Sequence, residues 1–427
     1  MKSIKYDSSH EELIDKKGKH LLSRISSKDN KAIIQSALDF SVRMHEGQKR
    51  KSGLPYVSHC IDVANILLDW NMDYTTIISA LLHDVVEDTD VSLEDIDKEF
   101  GSDVAFLVDG VTKIDHIAFR SQEHKQAENF TKLFLSLAKD LRVIIIKFAD
   151  RLNNMETIEY LSSKKRKEIA SETKEIFVPL AHRLGMANLK WKFEDLALKC
   201  LDLRSYNSIK KKIEGSSRSN QKILESTIVP VKKELDSYKI HSDISGRYKS
   251  ISSINRKIQL RSKKFDEIYD LYAIRIVVDK IEECYLALGV IHSIYPPVQD
   301  RFKDFIATPK TNGYQSIHTT VMTKDNRLTE VQIRTKEMDY TAEVGVAAHW
   351  LYKGNSEMDS FDEQVPWLRD LLAMMSSDNS DPEELIELLK IDMFEDEIFI
   401  FTPKGDLIKL PVESTPLDFA FAIHSEL

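Results

Sequence analysis

The sequence predicts a multidomain protein in which an all-helical domain is followed by an α+β domain built on a mixed sheet. Apolar residues recur at intervals of three and four from Lys31 to about Leu203, which is the period of helices with one buried face. Near His241 the pattern changes to short runs rich in β-branched residues with partial alternation, which is typical of strands. The chain has 13 glycines and 11 prolines among 427 residues, and 30% of its residues are charged. This composition favours helix-rich domains over a sandwich or a barrel.

The helical domain is predicted to span residues 1–203. Its period is clearest in the segments KAIIQSALDFSVRMH, SHCIDVANILLDW, TTIISALLHDVVED, RVIIIKFADRLNNM and ETKEIFVPLAHRL. Glycine and proline fall between these runs, as in KSGLPY, and mark the connections. A charged helical stretch at 204–239 follows, and its position between two domains makes it the natural candidate for a coupling segment.

The α+β domain is predicted at 240–355, with strands in LYAIRIVVD, SIHTTVMT and LTEVQIRT and helical runs between them. A helical linker follows at 356–390. The segment DEIFIFTPKGDLIKLP then predicts a β-hairpin that turns at Lys404-Gly405, and the last residues suggest a helix. Residues 391–427 are therefore expected to be the start of a small domain that is cut partway.

Charge, cysteine content and hydropathy exclude several classes of protein. The formal net charge is −9, so general nucleic-acid binding is excluded, and any phosphate site needs local basic residues or a bound cation. The cysteines, Cys60, Cys200 and Cys284, are scattered and form no CxxC pair, which argues against a disulfide framework and a structural zinc site. The sequence shows neither a signal-like apolar run near its start nor a stretch of about 18 apolar residues. We therefore expect a cytoplasmic protein without a membrane partner.

A cluster of ionisable residues lies in LLHDVVEDTD, residues 81–90. On a continuous helix, His83, Asp84, Glu87 and Asp88 would share one arc, opposite the apolar residues. Like charges at i,i+4 spacing repel, so this face needs compensation. A divalent cation supplies it, because imidazole and carboxylate both suit Mn, Fe or Zn.

Two further residues complete a candidate metal site: His59 in PYVSHCIDVA and Asp150 in FADRLNNM. A single histidine in such a helix is more often a hydrogen-bonded core or surface residue, and a His-Asp dipeptide is common. The order His…His-Asp…Asp, however, resembles the HD metal-dependent phosphohydrolase superfamily. A metal there would polarise a phosphoryl oxygen and acidify its bound water, which Glu87 and Asp88 are placed to orient or deprotonate.

The neighbouring polar residues suggest where a substrate would bind. Asn154 is four residues after Asp150 and faces the same cavity, so its amide could hold a substrate hydroxyl. Arg50, in GQKRKSGLP, suits a phosphate or a stacked base. A solvated basic loop is an equally good interpretation of that run when it is taken alone.

The second domain carries spaced cations and two carboxylates. SGRYKSISSINRKI holds Arg247, Lys249 and Lys257 after a glycine, which suits a polyphosphate chain, although basic amphipathic helices are abundant. Asp270 precedes one predicted strand and Glu330 lies on another, and carboxylates on adjacent strands can hold Mg²⁺ over phosphates. The alternative is an ordinary amphipathic sheet with one solvated face.

The segment RFKDFIATPKTNGYQSIHTTV places cations and an aromatic residue around a Thr-Asn-Gly turn. Lys303 and Lys310 would attract phosphates, and Tyr314 would stack on a base. His318 lies four residues further on. Together they indicate a purine-nucleotide site.

These motifs together resemble the long RelA/SpoT homologues, the bifunctional Rel-type enzymes of (p)ppGpp metabolism. The segments HDVVEDTD, VDGVTK, DRLNNM, PLAHRLG, IYDLYAIR, RFKDFIA, NGYQSIHTT, VQIRTKEM and GVAAHW occur in the family's order. The resemblance implies an HD-type (p)ppGpp hydrolase domain, a nucleotidyltransferase-like synthetase domain and a TGS domain that is truncated here. The basic loop Arg301-Phe302-Lys303-Asp304, next to an intact HD site, is the version found in bifunctional members.

The resemblance also implies roles for residues. In the hydrolase site, the Mn²⁺ ligands would be His59, His83, Asp84 and Asp150, with Glu87 and Asp88 activating water and with Arg50, Asn154 and Thr157 at the nucleotide. In the synthetase site, Asp270 and Glu330 would be the Mg²⁺ or general-base carboxylates. Arg247, Lys249, Lys257 and Arg275 would face ATP, and Lys303, Lys310, Tyr314 and His318 would face GDP or GTP.

The resemblance further implies that a full-length protein has the ribosome and deacylated tRNA as partners. Two other functions remain open at this stage. One is an HD pyrophosphohydrolase whose second domain only senses nucleotides. The other is a non-catalytic, ribosome-associated nucleotide sensor, which is disfavoured because unused carboxylate clusters cost stability without their metal.

Overall fold

The computed structural model describes residues 8–112, 135–137, 139–215, 217–261, 272–310, 312–324, 326–345, 397–401, 407–411 and 414–423. Its first part is helical, as predicted. The helices are α1 (Ser8–Ser23), α2 (Lys28–Met44), α3 (Val57–Asp69), α4 (Tyr74–Leu82), α5 (Val85–Asp88), α6 (Leu93–Phe100), α7 (Ser102–Val111), α8 (Arg142–Glu156), α9 (Ser163–Glu172), α10 (Val178–Arg183) and α11 (Ala187–Leu201).

Three of these helices position the candidate metal site. α4 is apolar on all sides, and every residue from Thr76 to Leu82 is buried, so it forms the centre of the helical core. Asp73 caps its N-terminus by accepting a hydrogen bond from the backbone N–H of Thr76. α3 and α8 pack against each other and against α4. The C-terminal end of α4 is thereby fixed beside both neighbours.

The helix predicted over IISALLHDVVED is interrupted. α4 ends at Leu82, and the short α5 begins only at Val85. Asp84 has φ −98° and ψ −4° and caps α5. His83 and Asp84 therefore sit in an irregular turn at the end of a buried helix, which the apolar period alone did not reveal.

The second domain contains a mixed five-stranded sheet. Its strands are β1 (Asp243–Tyr248), β2 (Tyr272–Val278), β3 (Lys303–Asp304), β4 (Ile317–Met322) and β5 (Leu328–Thr335), in the order β1-β2-β5-β4-β3. β2 and β5 are parallel, and the other neighbours are antiparallel. The predictions of β2, β4 and β5 are confirmed. β1 and β3 were not predicted, because β1 holds Gly246 with one aliphatic residue and β3 has two residues.

The helices of the second domain cover one face of the sheet. They are α12 (Leu203–Gly215), α13 (Ser217–Ser237), α14 (Ile251–Arg261), α15 (Ile281–Ile294) and α16 (Lys336–Val344). α13 and α15 pack on the sheet, and the core between them includes Leu235, Ile291 and Ile333. Since Ile333 faces this core, Glu330 and Gln332 project from the opposite face. Arg275 and His318, which both pair with Gln332, lie on that opposite face.

α16 joins the two domains. Val344 is buried in the core of the helical domain, and Tyr340 packs against the same core. The Tyr340 hydroxyl lies 3.3 Å from Asn71 Nδ2 and 3.5 Å from the Trp70 carbonyl oxygen. Gly345 follows with φ +59°, and a Cβ at this position would collide with the Leu184 carbonyl oxygen, so the close approach of the two backbones requires glycine.

The C-terminal elements are β6 (Glu397–Phe401), β7 (Leu407–Pro411) and α17 (Pro416–Ile423). β6 and β7 pair antiparallel, as the predicted hairpin requires, whereas its turn at Lys404-Gly405 and the predicted linker at 356–390 lie outside the described residues. The predicted domain boundaries remain predictions. None of the helices in the described ranges combines the length and apolar character needed to cross a bilayer.

Candidate active sites

In the helical domain, the Nε2 atoms of two buried histidines converge. His59 and His83 are each 1% exposed. His59 Nδ1 lies 2.7 Å from Asn153 Oδ1, and His83 Nδ1 lies 2.7 Å from the Ala80 carbonyl oxygen. Because both acceptors are oxygens, each Nδ1 carries a proton, which leaves each Nε2 as the nitrogen that can bind a cation. Neither Nε2 has a hydrogen-bond partner in the described part of the chain.

Two carboxylates meet these nitrogens. Asp84 Oδ2 lies 3.1 Å from His83 Nε2 and 3.7 Å from His59 Nε2. Asp150 Oδ1 lies 3.2 Å from His59 Nε2 and 3.9 Å from His83 Nε2. Ligand atoms from His59, His83 and Asp150 all fall within 4.8 Å of one another. Imidazole nitrogens and carboxylates at this spacing fit a divalent cation, which would bind both orphaned nitrogens.

The electrostatics of this cluster favour a bound cation. Burial by itself lowers the pKa of His83, but the Asp84 and Asp150 carboxylates outweigh burial and raise it to about 9. Burial also works against ionised carboxyls, yet the neighbouring imidazoles and Lys147 hold the pKa of Asp84 and Asp150 below the usual range. The cluster thus binds positive charge strongly, and a cation can take the place of the His83 proton.

The predicted substrate residues lie next to the metal ligands. Arg50 donates through Nη2 to Asn154 Oδ1, and its Nη1 is 3.5 Å from Thr157 Oγ1. Asn154 in turn donates through Nδ2 to Asp150 Oδ1. The structure therefore brings Arg50, Asn154 and Thr157 together at the edge of the metal site, as their predicted shared role requires.

Glu87 and Asp88 lie on α5, one turn after the metal-facing pair. Glu87 is half-buried and Asp88 is exposed. Burial of its carboxyl and the negative charges of Asp84 and Glu87 raise the pKa of Asp88, against a lowering hydrogen bond from Tyr56. A raised pKa makes the Asp88 carboxylate a better proton acceptor than an ordinary aspartate.

Sequence reasoning missed several residues of this site. Tyr56 donates to Asp84 Oδ2 at 2.9 Å, and its ring stacks on His45 with centroids 5.0 Å apart. Gln48 donates to the Asp88 carbonyl oxygen at 2.8 Å, which ties the loop before α3 to α5. Asn153 orients His59. The only sequence signal for Asn153 was its position beside the predicted Asn154, since both asparagines follow Asp150 in DRLNNM.

Replacing Asn153 with Ala should weaken Mn²⁺ binding by roughly 10–100-fold, the usual cost of losing a partner that orients a metal-binding histidine. Without Oδ1, His59 Nδ1 loses the acceptor that fixes its tautomer and ring orientation. Electron paramagnetic resonance of free Mn²⁺ during titration measures the affinity. Asn65→Ala is the matched control, since that amide donates to the Ile61 carbonyl oxygen on α3. Equal affinity in the Asn153 variant and the control would contradict the assignment.

The second candidate site is centred on Glu330. Lys249 Nζ lies 2.6 Å from Glu330 Oε2, and Gln332 Nε2 donates to Oε1 at 2.9 Å. Burial raises the pKa of Glu330, but Lys249 outweighs burial and holds it at about 2. His318 Nδ1 lies 3.6 Å from Oε1. Burial lowers the pKa of His318 to about 4, so this contact is not an ion pair at neutral pH.

The Lys249–Glu330 pair makes a pH-dependent contribution to stability. The folded pKa of Glu330 is depressed from 4.5 to about 2, so the stabilisation is fully present above pH 4.5 and disappears as the pH falls towards 2. Its upper limit is about 3 kcal/mol at 1.36 kcal/mol per pKa unit. Lys249→Met should therefore lower the urea midpoint of the second domain at pH 6 and have little effect below pH 2. Lys303→Met, a change at an exposed lysine, is the control, and a pH-independent difference for Lys249→Met would rule out this origin.

The predicted acceptor residues form one aromatic and basic group. The Tyr314 hydroxyl lies 2.8 Å from His318 Nε2, and Phe305 meets the edges of both rings at centroid distances of 6.2 and 5.3 Å. Lys310 Nζ lies 5.0 Å and Lys303 Nζ 6.0 Å from the centroid of Phe305. Phe305, which was not predicted, is thus the residue around which the predicted ones assemble.

The residues predicted to face ATP are only partly brought together. Lys249 contacts Glu330, Lys257 is half-buried on α14, and Arg247 lies on β1 opposite Ala273. Arg275 Nη1 instead lies 3.1 Å from Asp339 Oδ1 and 3.4 Å from Glu343 Oε1, both on α16. Asp270, predicted as a metal and catalytic carboxylate, lies outside the described residues.

Comparison with known proteins places each region. An HD domain model matches residues 37–187, which include all four candidate metal ligands. The region found in RelA/SpoT proteins matches residues 246–357, and a TGS domain model matches residues 398–427.

Curated relatives match along most of the chain. A GTP pyrophosphokinase of Myxococcus xanthus is 44% identical over 399 residues, which are 92% of this chain and 53% of that protein. A probable guanosine-3′,5′-bis(diphosphate) 3′-pyrophosphohydrolase of Synechocystis sp. is 46% identical over 401 residues, again 92% and 53%. The bifunctional (p)ppGpp synthase/hydrolase SpoT of Escherichia coli K12 is 43% identical over 385 residues, 90% of this chain and 55% of that protein. The chain spans about half the length of these relatives.

The structure and the family models define a helical HD domain followed by a RelA/SpoT region on a mixed sheet, which confirms the predicted fold class. The chain belongs to the RelA/SpoT family, as predicted. Membership of this family implies divalent metal ions, and the group of His59, His83 and Asp150 offers a place for one.

Proposed function

We propose that this chain both removes and makes the 3′-pyrophosphate of (p)ppGpp. The helical domain hydrolyses (p)ppGpp with Mn²⁺, and the second domain transfers pyrophosphate from ATP to the 3′-hydroxyl of GDP or GTP with Mg²⁺. The observation that carries the proposal is the convergence of two orphaned Nε2 atoms and two carboxylates beside Arg50. The names of the curated relatives support both halves of it.

The proposed roles in hydrolysis follow from position. His59, His83, Asp84 and Asp150 would hold the cation, which would supply Lewis-acid chemistry at a phosphoryl oxygen and make a nearby water more acidic. Asp88, with its raised pKa, receives the proton of the attacking water, and Glu87 orients it. The Arg50 guanidinium pairs with a phosphate. Asn154 and Thr157 hold the ribose and keep Arg50 in place.

In the proposed synthesis, Glu330, which pairs with Lys249, is one Mg²⁺ or general-base carboxylate, and Asp270, outside the described residues, is its proposed partner. Lys249 and Lys257 bind the phosphates of ATP, with Arg247 and Arg275. Tyr314 stacks on guanine, and Lys303 and Lys310 bind the acceptor phosphates. His318, neutral at pH 7, orients the Tyr314 hydroxyl.

A paired assay tests both activities on one preparation. We expect pyrophosphate release from ppGpp with Mn²⁺, and AMP formation from ATP plus GDP with Mg²⁺. Absence of the first reaction would overturn the hydrolase half, and absence of the second would overturn the synthetase half.

One observation favours the alternative in which the second domain only senses nucleotides. Its charged residues are already neutralised by one another, through Lys249–Glu330 and Arg275–Asp339. Such a domain would bind ATP and GDP without forming AMP, even in a variant that cannot hydrolyse the product. AMP formation by Asp84→Ala protein excludes this alternative.

We also propose that the two sites are coupled. If synthesis and hydrolysis ran at the same time, their net result would only be the consumption of ATP. The segment 204–239 is one candidate route, and α16 offers a shorter one. Asp339 of α16 pairs with Arg275 on β2. Tyr340 and Val344 of the same helix pack in the core of the helical domain. ATP phosphates that bind Arg275 compete with Asp339 and so favour a shift of α16.

The coupling predicts that GDP plus a non-hydrolysable ATP analogue changes the ppGpp hydrolysis rate several-fold, and that Tyr340→Ala reduces this response. Tyr160→Ala, at an exposed tyrosine of the helical domain, is the control. Initial rates at saturating and limiting ppGpp separate effects on turnover from effects on affinity. An unchanged hydrolase rate and unchanged ppGpp affinity with both nucleotides bound would exclude coupling.

The ribosome and deacylated tRNA remain proposed partners of a full-length protein. The proposal rests on family resemblance. Ribosome-dependent stimulation of AMP formation, compared in this chain and in a longer one, tests it.

A further inference from the structure

Cys60 lies directly beside the candidate metal site and has no part in the proposed reaction. It follows His59 on α3 and is completely buried. Its Sγ, a nitrogen of His83 and a carboxylate oxygen of Asp84 all lie within 4.8 Å of one another. Of the four ligands proposed for the first site, this group shares His83 and Asp84.

The nitrogen that His83 can offer to this second group is Nε2. Its Nδ1 is committed to the Ala80 carbonyl oxygen at 2.7 Å. Nε2 is buried, has no hydrogen-bond partner among the described residues, and lies 3.1 Å from Asp84 Oδ2. An imidazole nitrogen that a cation can deprotonate and a carboxylate therefore lie next to the sulfur.

The two groups differ in the kind of ion that they prefer. Imidazole with carboxylates suits Mn²⁺ and similar ions, whereas a thiolate selects softer ions such as Zn²⁺ and Cd²⁺. A zinc–sulfur bond of about 2.3 Å and a zinc–nitrogen bond of about 2.0 Å allow ligand atoms to stand 3–4 Å apart. Small side-chain adjustments within the observed 4.8 Å limit reach that spacing.

We propose that Cys60, His83 and Asp84 form a second binding mode of this site for a thiophilic divalent cation. On binding, the Cys60 S–H bond and the His83 Nε2–H bond break, both protons go to solvent, and sulfur–metal and nitrogen–metal bonds form without any redox change. Because His83 Nε2 belongs to both groups, the thiophilic ion and Mn²⁺ exclude each other. The thiophilic ion then occupies His83 and Asp84, which the Mn²⁺ site also needs, so the second mode inhibits the hydrolase.

Cadmium titration of the purified protein tests the proposal without any turnover. We expect an ultraviolet sulfur-to-cadmium charge-transfer band that saturates at one equivalent and is suppressed by excess Mn²⁺. Cys60→Ser should lose the band and bind Cd²⁺ roughly 10–100-fold more weakly, while Mn²⁺ binding in the same variant verifies that the site is folded. Cys200→Ser, at a half-exposed cysteine on α11, should keep the band.

A band that persists in Cys60→Ser, or one that Mn²⁺ does not suppress, would overturn the second mode. So would the absence of any band in the wild-type protein, which would leave Cys60 as an ordinary core thiol. The proposal rests on the proposed metal site but not on its reaction. A protein that shows the band and fails to hydrolyse ppGpp would therefore refute the proposed function alone.

Discussion

Asp84→Ala is expected to abolish (p)ppGpp hydrolysis and to leave synthesis from ATP and GDP at the wild-type rate. Asp84 Oδ2 lies 3.1 Å from His83 Nε2 and 3.7 Å from His59 Nε2, and it accepts the Tyr56 hydroxyl at 2.9 Å. The substitution therefore removes a proposed metal ligand and the acceptor of the Tyr56 hydrogen bond. Losing an outer partner already costs about 10–100-fold, so losing the ligand itself costs more.

The measurement is pyrophosphate release with Mn²⁺ beside AMP formation with Mg²⁺, together with Mn²⁺ affinity for both proteins. Asp90→Ala is the matched control, because Asp90 lies in the same segment and is exposed. Hydrolysis that survives Asp84→Ala would mean that the metal site is wrongly placed. Loss of both activities with a lowered unfolding temperature would indicate misfolding. In that case Asp84→Asn, which keeps the shape of the side chain, tests whether hydrolysis needs the carboxylate.

Tyr314→Ala is expected to weaken GDP binding by about 1–3 kcal/mol, the range for loss of an aromatic ring that stacks on a base. That is roughly a 5- to 150-fold higher Kd. Tyr314 is held for stacking by the 2.8 Å contact of its hydroxyl with His318 and by the edge of Phe305. Calorimetric titration with GDP measures the change, and ppGpp hydrolysis in the absence of other nucleotides should be retained.

Tyr314→Phe separates the ring from the hydroxyl. It keeps the stacking surface and loses the His318 contact, so we expect GDP affinity near that of the wild type. Tyr285→Ala, at an exposed tyrosine on α15, controls for the loss of any aromatic residue from this domain. An unchanged Kd for Tyr314→Ala, or a hydrolase-dead variant, would show that the nucleotide and metal sites had been confused.

The candidate metal site was largely predictable because its chemistry is concentrated in a few residue types. Buried histidines and aspartates within apolar helical segments are conspicuous, and His59, His83, Asp84 and Asp150 stood out for that reason. Their partners did not. Asn153 and Tyr56 resemble ordinary polar residues in the sequence, and only packing of α3 against α8 brings Asn153 to His59.

The second site was less predictable, because its geometry depends on strands that are far apart in sequence. Lys249 follows β1, and Glu330 lies on β5, which is separated from β1 by β2. No local pattern indicates that they pair. Arg275 was predicted to face ATP, but its partner on α16 became visible only in the folded chain.

The sequence by itself determined the helical and strand periods, the order of the domains and the identity of the metal-facing residues, because side-chain burial imposes those patterns locally. Tertiary structure alone decided that the helix breaks at His83, that Lys249 neutralises Glu330, and that α16 enters the helical domain. Each of these depends on contacts between segments tens to hundreds of residues apart. Such contacts are set by how helices and strands fit together in space, which no period along the chain records.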